Sequence, residues 1–278
     1  MAYEIPFHLE LEGGTADQHE FQGYDGYLAL AGFAWTLSLT TNYIETGRVR
    51  HRGDFAGRQS VRAKALREGS IVAQFTVLLQ QDPILACILG LAGTITLNVA
   101  SNFVYDLTKR VIGRNLGREQ EPDTELVKEL IRQRGGDVEA LVAAAENSIR
   151  QSHSVIGRGA TTINIYGGSQ IINIYNASTR DYVMQNLEDT DIHVKDFSVA
   201  AFNANSGYGS VFDFDLGRTI PISMSKEVLV KVRSVFAWGL SEYANGTGER
   251  ISVHFWRVLS MDRTPKRYVV VDADRFER

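Results

Sequence analysis

The sequence has one cysteine, Cys87, and five prolines in 278 residues. A lone cysteine excludes an intrachain disulfide framework and suits a reducing compartment. So few prolines, with 44% hydrophobic and 22% charged residues, argue against long disordered stretches. Catalytic and metal-binding signatures are missing as well. The six histidines, at 8, 19, 51, 153, 193 and 254, have no HExxH or comparable ligand spacing. There is no GxSxG and no P-loop, because the glycines of GRGATTINIYGGSQ lack a following GK[ST]. Cys87 lies in an apolar run, where burial disfavours the thiolate. A paired-carboxylate site could lie among Asp189, Asp191, Asp213 and Asp215, but the alternation Asp213-Phe214-Asp215 reads as a solvated strand face. A non-enzymatic protein with no cofactor and no metal is expected. The opening MAYEIPFHLELEGG has no basic n-region and no apolar h-region, so no signal peptide is expected and the cytoplasm is the expected location.

Charge of one sign is absent from the first part of the chain. Residues 1–47 hold seven acids and no lysine or arginine, and residues 48–118 hold eleven Lys/Arg against four acids. Arg48, Arg50, Arg52, Arg58, Arg62, Lys64 and Arg67 form the one basic concentration. It either neutralises the acidic first strand (Glu4, Glu10, Glu12) across a sheet or forms a phosphate-binding face. For the second case, Arg48, Arg50, Arg52, Arg58, Arg62 and Lys64 are the candidate residues.

The pattern of elements is α+β. Residues 3–12 read as a strand, a helix follows over about 24–45 with Gly47 as its stop, and residues 60–80 read as a hairpin turning at Glu68-Gly69. Residues 83–105 carry no charge at all. Asp82 as N-cap, Pro83 in the first turn and Lys109, Arg110 and Arg114 at the far end make this a helix over about 83–114. Its apolar length matches a membrane span. Gly90, Thr94, Asn98, Ser101 and Tyr105 recur at helical spacing as one small-and-polar stripe, and a mean hydropathy of −0.14 favours a central helix of a soluble domain. Two further helices are expected over about 123–134 and 137–155, the first closed by Gly135-Gly136 and the second opened by Asp137.

The tetrapeptide INIY occurs at 163–166 and again at 172–175, with Gly167-Gly168-Ser169 between. This predicts a short hairpin with Ile163, Ile165, Ile172 and Ile174 on one face and Asn164, Tyr166, Asn173 and Tyr175 on the other. A lone two-stranded hairpin is marginal in water, so it needs cover. Placed between two domains, it is expected to pair with other copies of the chain and make a homo-oligomer.

The organisation expected is therefore an α+β domain over 1–158, an oligomerisation hairpin over 159–178, and a small five-stranded barrel over 179–278 with a helix after the third strand, the order of an OB-type barrel. FNANSGYGSVFDFD (202–215) resembles the FNxxxGFGFI stretch of the cold-shock domain, an OB barrel for single-stranded nucleic acid. Ser206 stands where that family has a lysine and Ser210 where it has a second stacking aromatic. The resemblance thus implies Tyr208 alone as a base-stacking residue, with Phe202, Phe212 and Phe214 in the core. The whole chain is similar to a family of uncharacterised two-domain bacterial proteins through GYDGYLALAGFAWTLSLT, FVYDLTKRVIGR and FNANSGYGS. That similarity implies a bacterial setting, and such proteins often sit among phage-defence and mobile-element genes. The function expected is a self-assembling binding or scaffold protein whose partners are itself and a protein or phosphate-bearing ligand. The alternatives are a membrane-acting oligomeric effector using residues 83–105 and a nucleic-acid or nucleotide binder using Arg48–Arg67.

Overall fold

The computed structural model describes residues 2–50, 60–64, 71–80, 96–260 and 263–275. They form two units. One holds residues 1–130 and 144–184, the other residues 131–143 and 185–278.

The first unit is a five-stranded antiparallel sheet with helices. Its strands are β1 (Ala2–Glu12), β2 (Val61–Ala63), β3 (Ile71–Gln80), β4 (Thr162–Gly167) and β5 (Gln170–Tyr175), in the order β2-β3-β1-β4-β5. β1 is central because it alternates strictly: Ile5, Phe7, Leu9 and Leu11 are buried on one face. Against that face lie α1 (Gly23–Thr46) and α2 (Leu97–Asn115). Phe7 meets Phe33 of α1 edge-on at 6.2 Å and Tyr105 of α2 at 5.1 Å. Burying a side chain of that size contributes about 2 kcal/mol. α1 ends where Gly47 takes a left-handed conformation (φ 64°) and returns its N–H to the Tyr43 carbonyl. Thr96 caps α2 by accepting from the Val99 N–H. Of the uncharged helix expected over 83–114, residues 81–95 lie outside the described residues.

The two helices expected over 123–134 and 137–155 follow one another along a single span, α3 (Glu125–Ser152), with a kink between them at Arg134. The chain departs from helical geometry only at Arg134 (φ −138°, ψ 36°) and continues through Gly135-Gly136. The glycines follow that break and also allow close packing: a Cβ on Gly136 would lie 2.4 Å from the Phe202 carbonyl carbon. The short helix α4 (Ala177–Met184) completes the first unit.

Residues 159–178 are likewise not a free-standing link. β4 pairs with β1 (Leu9 opposite Ile165, Leu11 opposite Ile163), so the hairpin is two strands of the first unit's own sheet.

In the second unit, β7 (His193–Phe202), β8 (Gly209–Asp213), β9 (Arg218–Met224), β10 (Ile251–Leu259) and β11 (Pro265–Arg275) close into a barrel. The hydrogen-bonded order is β7-β8-β9-β11-β10 and back to β7, antiparallel except for β9 with β11. The two-residue strand β6 (Leu187–Glu188) adds to β10. Helix α5 (Lys226–Asn245) follows the third barrel strand, N-capped by Ser225, and buries Val232 and Phe236 among Phe197, Val199, Ile220 and Val270. The fold is thus α+β with a mixed N-terminal unit and a closed five-stranded C-terminal barrel.

Candidate functional site

The two INIY copies present opposite faces. Cross-strand partners share a face, and Ile163 pairs with Tyr175, Asn164 with Ile174 and Ile165 with Asn173. A bulge between Ile165 and Tyr166 absorbs Ile172. Ile163 and Ile165 are therefore buried beside Asn173 and Tyr175, while Ile174 shares the other face with Tyr166 and with Asn164, which is itself buried. This corrects the expectation of one all-isoleucine face, and it takes Ile163, Ile165, Asn173 and Tyr175 out of any surface for self-association. Asn173 donates Nδ2–H to the Lys109 carbonyl at 3.1 Å. On the outer face Tyr166 stacks on His8 at 4.2 Å and donates its hydroxyl to Glu10 Oε2 at 2.9 Å. What remains open is the edge: β5 is the last strand of the sheet among the described residues, and Ile171 and Ile174 are 49% and 36% exposed there.

Behind β5 sits His153, fully buried. Its Nδ1 lies 2.8 Å from the Ile149 carbonyl, which can only accept, so Nδ1 carries the proton and Nε2 accepts from the Thr179 hydroxyl at 3.0 Å. Burial pushes this imidazole down to about 4.

Of the basic stretch, Arg52, Arg58 and Arg67 lie outside the described residues. Arg48, Arg50, Arg62 and Lys64 are exposed, and none has an ion pair among the described residues. Arg62 on β2 stands opposite Thr76 of β3, and β3 separates it from the acids of β1. The neutralising arrangement across paired strands is absent there. The backbone leaving α1 is fixed instead by Asn42, whose Nδ2–H reaches the Arg48 carbonyl at 2.9 Å.

On the barrel, β8 places Val211 in the core and buries Ser210 and Asp213, and Phe212 is its one residue that is not buried. Phe202 packs against the core beside Phe236 (5.2 Å), as expected. Phe212 and Phe214 do not: Phe214 is 42% exposed, meets Phe212 edge-on at 5.1 Å, and carries the Arg250 guanidinium 3.8 Å above its ring. Tyr208, in the loop just before β8, is half-buried.

Asp213 also reverses its expected position. It is 1% exposed, receives Lys195 Nζ at 2.5 Å and the Tyr268 hydroxyl at 2.6 Å, and accepts from the N–H of Asp215 and Leu216. Burial raises its carboxyl, but the hydrogen bonds from Lys195 and Tyr268 outweigh that and hold it below the usual range. Asp189 is engaged in the same manner by His193 (2.9 Å) and Arg257 (2.5 Å), which bring it down to about 2. These carboxylates are thus tied to cations and close the barrel wall. Among the described residues no group of three or more His, Cys, Asp or Glu could hold a metal ion, and no helix is long and apolar enough to cross a membrane.

The sequence profile of a domain of unknown function (DUF7946) matches residues 7–184. That range ends at the residue that closes the first unit, Met184. No curated protein and no solved structure matches the chain.

Proposed function

The chain belongs to the DUF7946 family, and we propose that it is a non-enzymatic, self-assembling binding protein whose first unit joins copies and whose barrel holds the partner. One observation carries the assembly: β5 ends the sheet among the described residues and sets Ile171 and Ile174 in solvent along its edge. An exposed apolar edge strand is a template for pairing with another chain. Antiparallel β5–β5 pairing about a twofold axis would place Ile171 of one copy opposite Ile174 of the other, twice, joining two sheets through apolar cross-strand pairs.

The test is the mass in solution. The wild-type chain is expected to run as a dimer or larger in light scattering, and Ile171→Lys and Ile174→Lys to run as folded monomers. Ile165→Lys is expected to unfold the protein, since Ile165 is 0% exposed. A monomeric wild type at micromolar concentration overturns the proposal.

A second reading has its own observation. Phe212 near the end of β8 and Phe214 in the turn just beyond it, with Arg250 stacked on the latter, lie outside the barrel core, and Tyr208 immediately precedes β8. Aromatic platforms with a stacked arginine suit unpaired bases, and the second and third strands of an OB-type barrel are where such ligands lie. This reading places single-stranded nucleic acid on the barrel face instead of on Arg48–Arg67.

A further inference from the structure

The face of the first unit's sheet that looks away from α1 and α2 carries a continuous row of side chains across four strands. Lys64, just after β2, donates its N–H to the Gln74 carbonyl of β3 at 2.9 Å; Gln74 stands opposite His8 of β1, and His8 opposite Tyr166 of β4. In the next row Arg62 of β2 stands opposite Thr76 of β3. Alternation puts all six on one face, because Phe7, Leu9, Phe75 and Ile165 between them are buried on the other. His8 and Tyr166 stack with centroids 4.2 Å apart and planes 10° from parallel. That separation is close to the spacing of neighbouring strands, about 4.8 Å. The two rings therefore stand side by side, and the free face of His8 looks along the row toward Gln74. Burial holds the His8 imidazole below its usual range although the Glu10 carboxylate opposes this, so the ring is neutral near pH 7.

The far end of the row is positive and uncompensated. Arg62 and Lys64 are exposed, and neither has an ion pair among the described residues. Two positions apart along the strand direction, they stand roughly 7 Å from each other, close enough to grip one phosphate together. The acids of this face, Glu4, Glu10 and Glu12, all lie on β1. That is two strand spacings from β2, about 10 Å and about one Debye length. Glu10 moreover accepts the Tyr166 hydroxyl at 2.9 Å. A neutral aromatic stack, an amide that both donates and accepts, and a pair of cations thus follow one another over about 10 Å, the order and reach of base, sugar and phosphate in a nucleotide. Stacking on a ring accepts any base. We propose that this face binds a nucleotide, its base stacked on His8 beside Gln74 and its phosphate between Arg62 and Lys64. The site lies across the sheet from the β5 edge and in the other unit from Phe212 and Phe214, so it stands apart from both.

The test uses the full chain and calorimetry, with the ribonucleoside 5′-monophosphates, their nucleosides, inorganic phosphate and a mixed-sequence hexaribonucleotide as probes. A nucleotide probe is expected to saturate, and nucleosides and inorganic phosphate, which each meet half of the site, to bind tenfold or more weakly. Arg62→Gln/Lys64→Gln changes exposed positions. It is expected to keep the ligand-free melting temperature, to weaken the nucleotide probes tenfold or more and to flatten their salt dependence. His8→Ala is expected to weaken nucleotides and nucleosides alike, about fivefold or more. His8→Phe, which restores a flat ring, is expected to bind as the wild type does, and that rescue separates a lost stack from a lost fold. A hexanucleotide bound tenfold more tightly than every monophosphate assigns the nucleotide to a single strand, and comparable affinities assign it to the free form; either supports the proposal. Phe214→Ala and Ile171→Lys are expected to leave monophosphate binding unchanged. Absence of a saturable response to every nucleotide probe overturns the proposal. So does binding that Arg62→Gln/Lys64→Gln leaves intact, or that Phe214→Ala abolishes.

Discussion

Tyr175 lies against His153, ring centroids 4.0 Å apart and planes 30° from parallel, with neither ring reached by solvent. Burial also raises the Tyr175 phenol, so both rings stay neutral near pH 7. The imidazole is held neutral by the same interior, and protonating it would place a charge where the Ile149 carbonyl is one of only two polar partners.

That arrangement makes stability depend on pH. The folded pKa, about 4, lies below the ordinary 6.5, so between those values the unfolded chain binds a proton that the folded chain refuses. Stability is at its full value above pH 6.5 and falls progressively toward pH 4, by about 3 kcal/mol for such a shift. Urea melts at pH 7 and pH 4.5 check this. His153→Gln is expected to lose stability at pH 7 and to show a smaller further loss at pH 4.5 than the wild type; equal losses would exclude the buried imidazole as the cause.

α1 and the end of α3 approach so closely that Gly32 has no room for a methyl group. A Cβ there would stand 2.5 Å from the Ser148 carbonyl and 2.7 Å from the Ser152 N–H nitrogen. Thr36 and Ser148 seal the same contact with a 2.8 Å hydrogen bond between hydroxyls. Alanine would raise helix propensity by about 1 kcal/mol, yet Gly32→Ala is expected to destabilise by about 1–3 kcal/mol because backbone must move. Gly23 has nothing within 4 Å, and Gly23→Ala is expected to be neutral or stabilising. Thermal melts of the two variants decide; a neutral Gly32→Ala would mean that the helices shift apart freely.

Replacing Phe214 tests the barrel face. The ring is 42% exposed, so Phe214→Ala is expected to cost less than about 1 kcal/mol of stability. If bases stack there, the same change is expected to weaken an oligothymidine by about 1–3 kcal/mol, and binding to fall steeply with salt. Fluorescence anisotropy at two salt concentrations measures both. No binding by the wild type at low salt, or equal binding by the variant, removes the nucleic-acid reading.

Local pattern carried much of the architecture. The alternation of Ile5, Phe7, Leu9 and Leu11 marks a strand buried on one face, and five strand-like segments with a helix after the third describe the barrel. What local pattern could not supply was which elements meet. β1 pairs with β4, some 150 residues on, and that pairing turns an apparent linker into sheet. A single bulge at Ile165/Tyr166 then inverts the second INIY, since one residue of slip exchanges the faces. Asp213 reads as a surface acid because its partners, Lys195 and Tyr268, stand 18 and 55 residues away. Gly135-Gly136 does adjoin the break between two helices, at Arg134, and only the approach of Phe202 shows that it makes space as well. The exposed cations at Arg48, Arg50, Arg62 and Lys64 were visible in the sequence.

The division of α3 also bears on how such a gene can be rearranged. The backbone passes from one unit to the other at residues 131, 144 and 185. A recombination break after Met184 would hand on a barrel stripped of the helical segment against which Phe202 packs, and would leave that segment, with its paired glycines, stranded in the donor half. Neither fragment would be whole. A functional exchange of barrels between relatives therefore has to carry residues 131–143 along with 185–278.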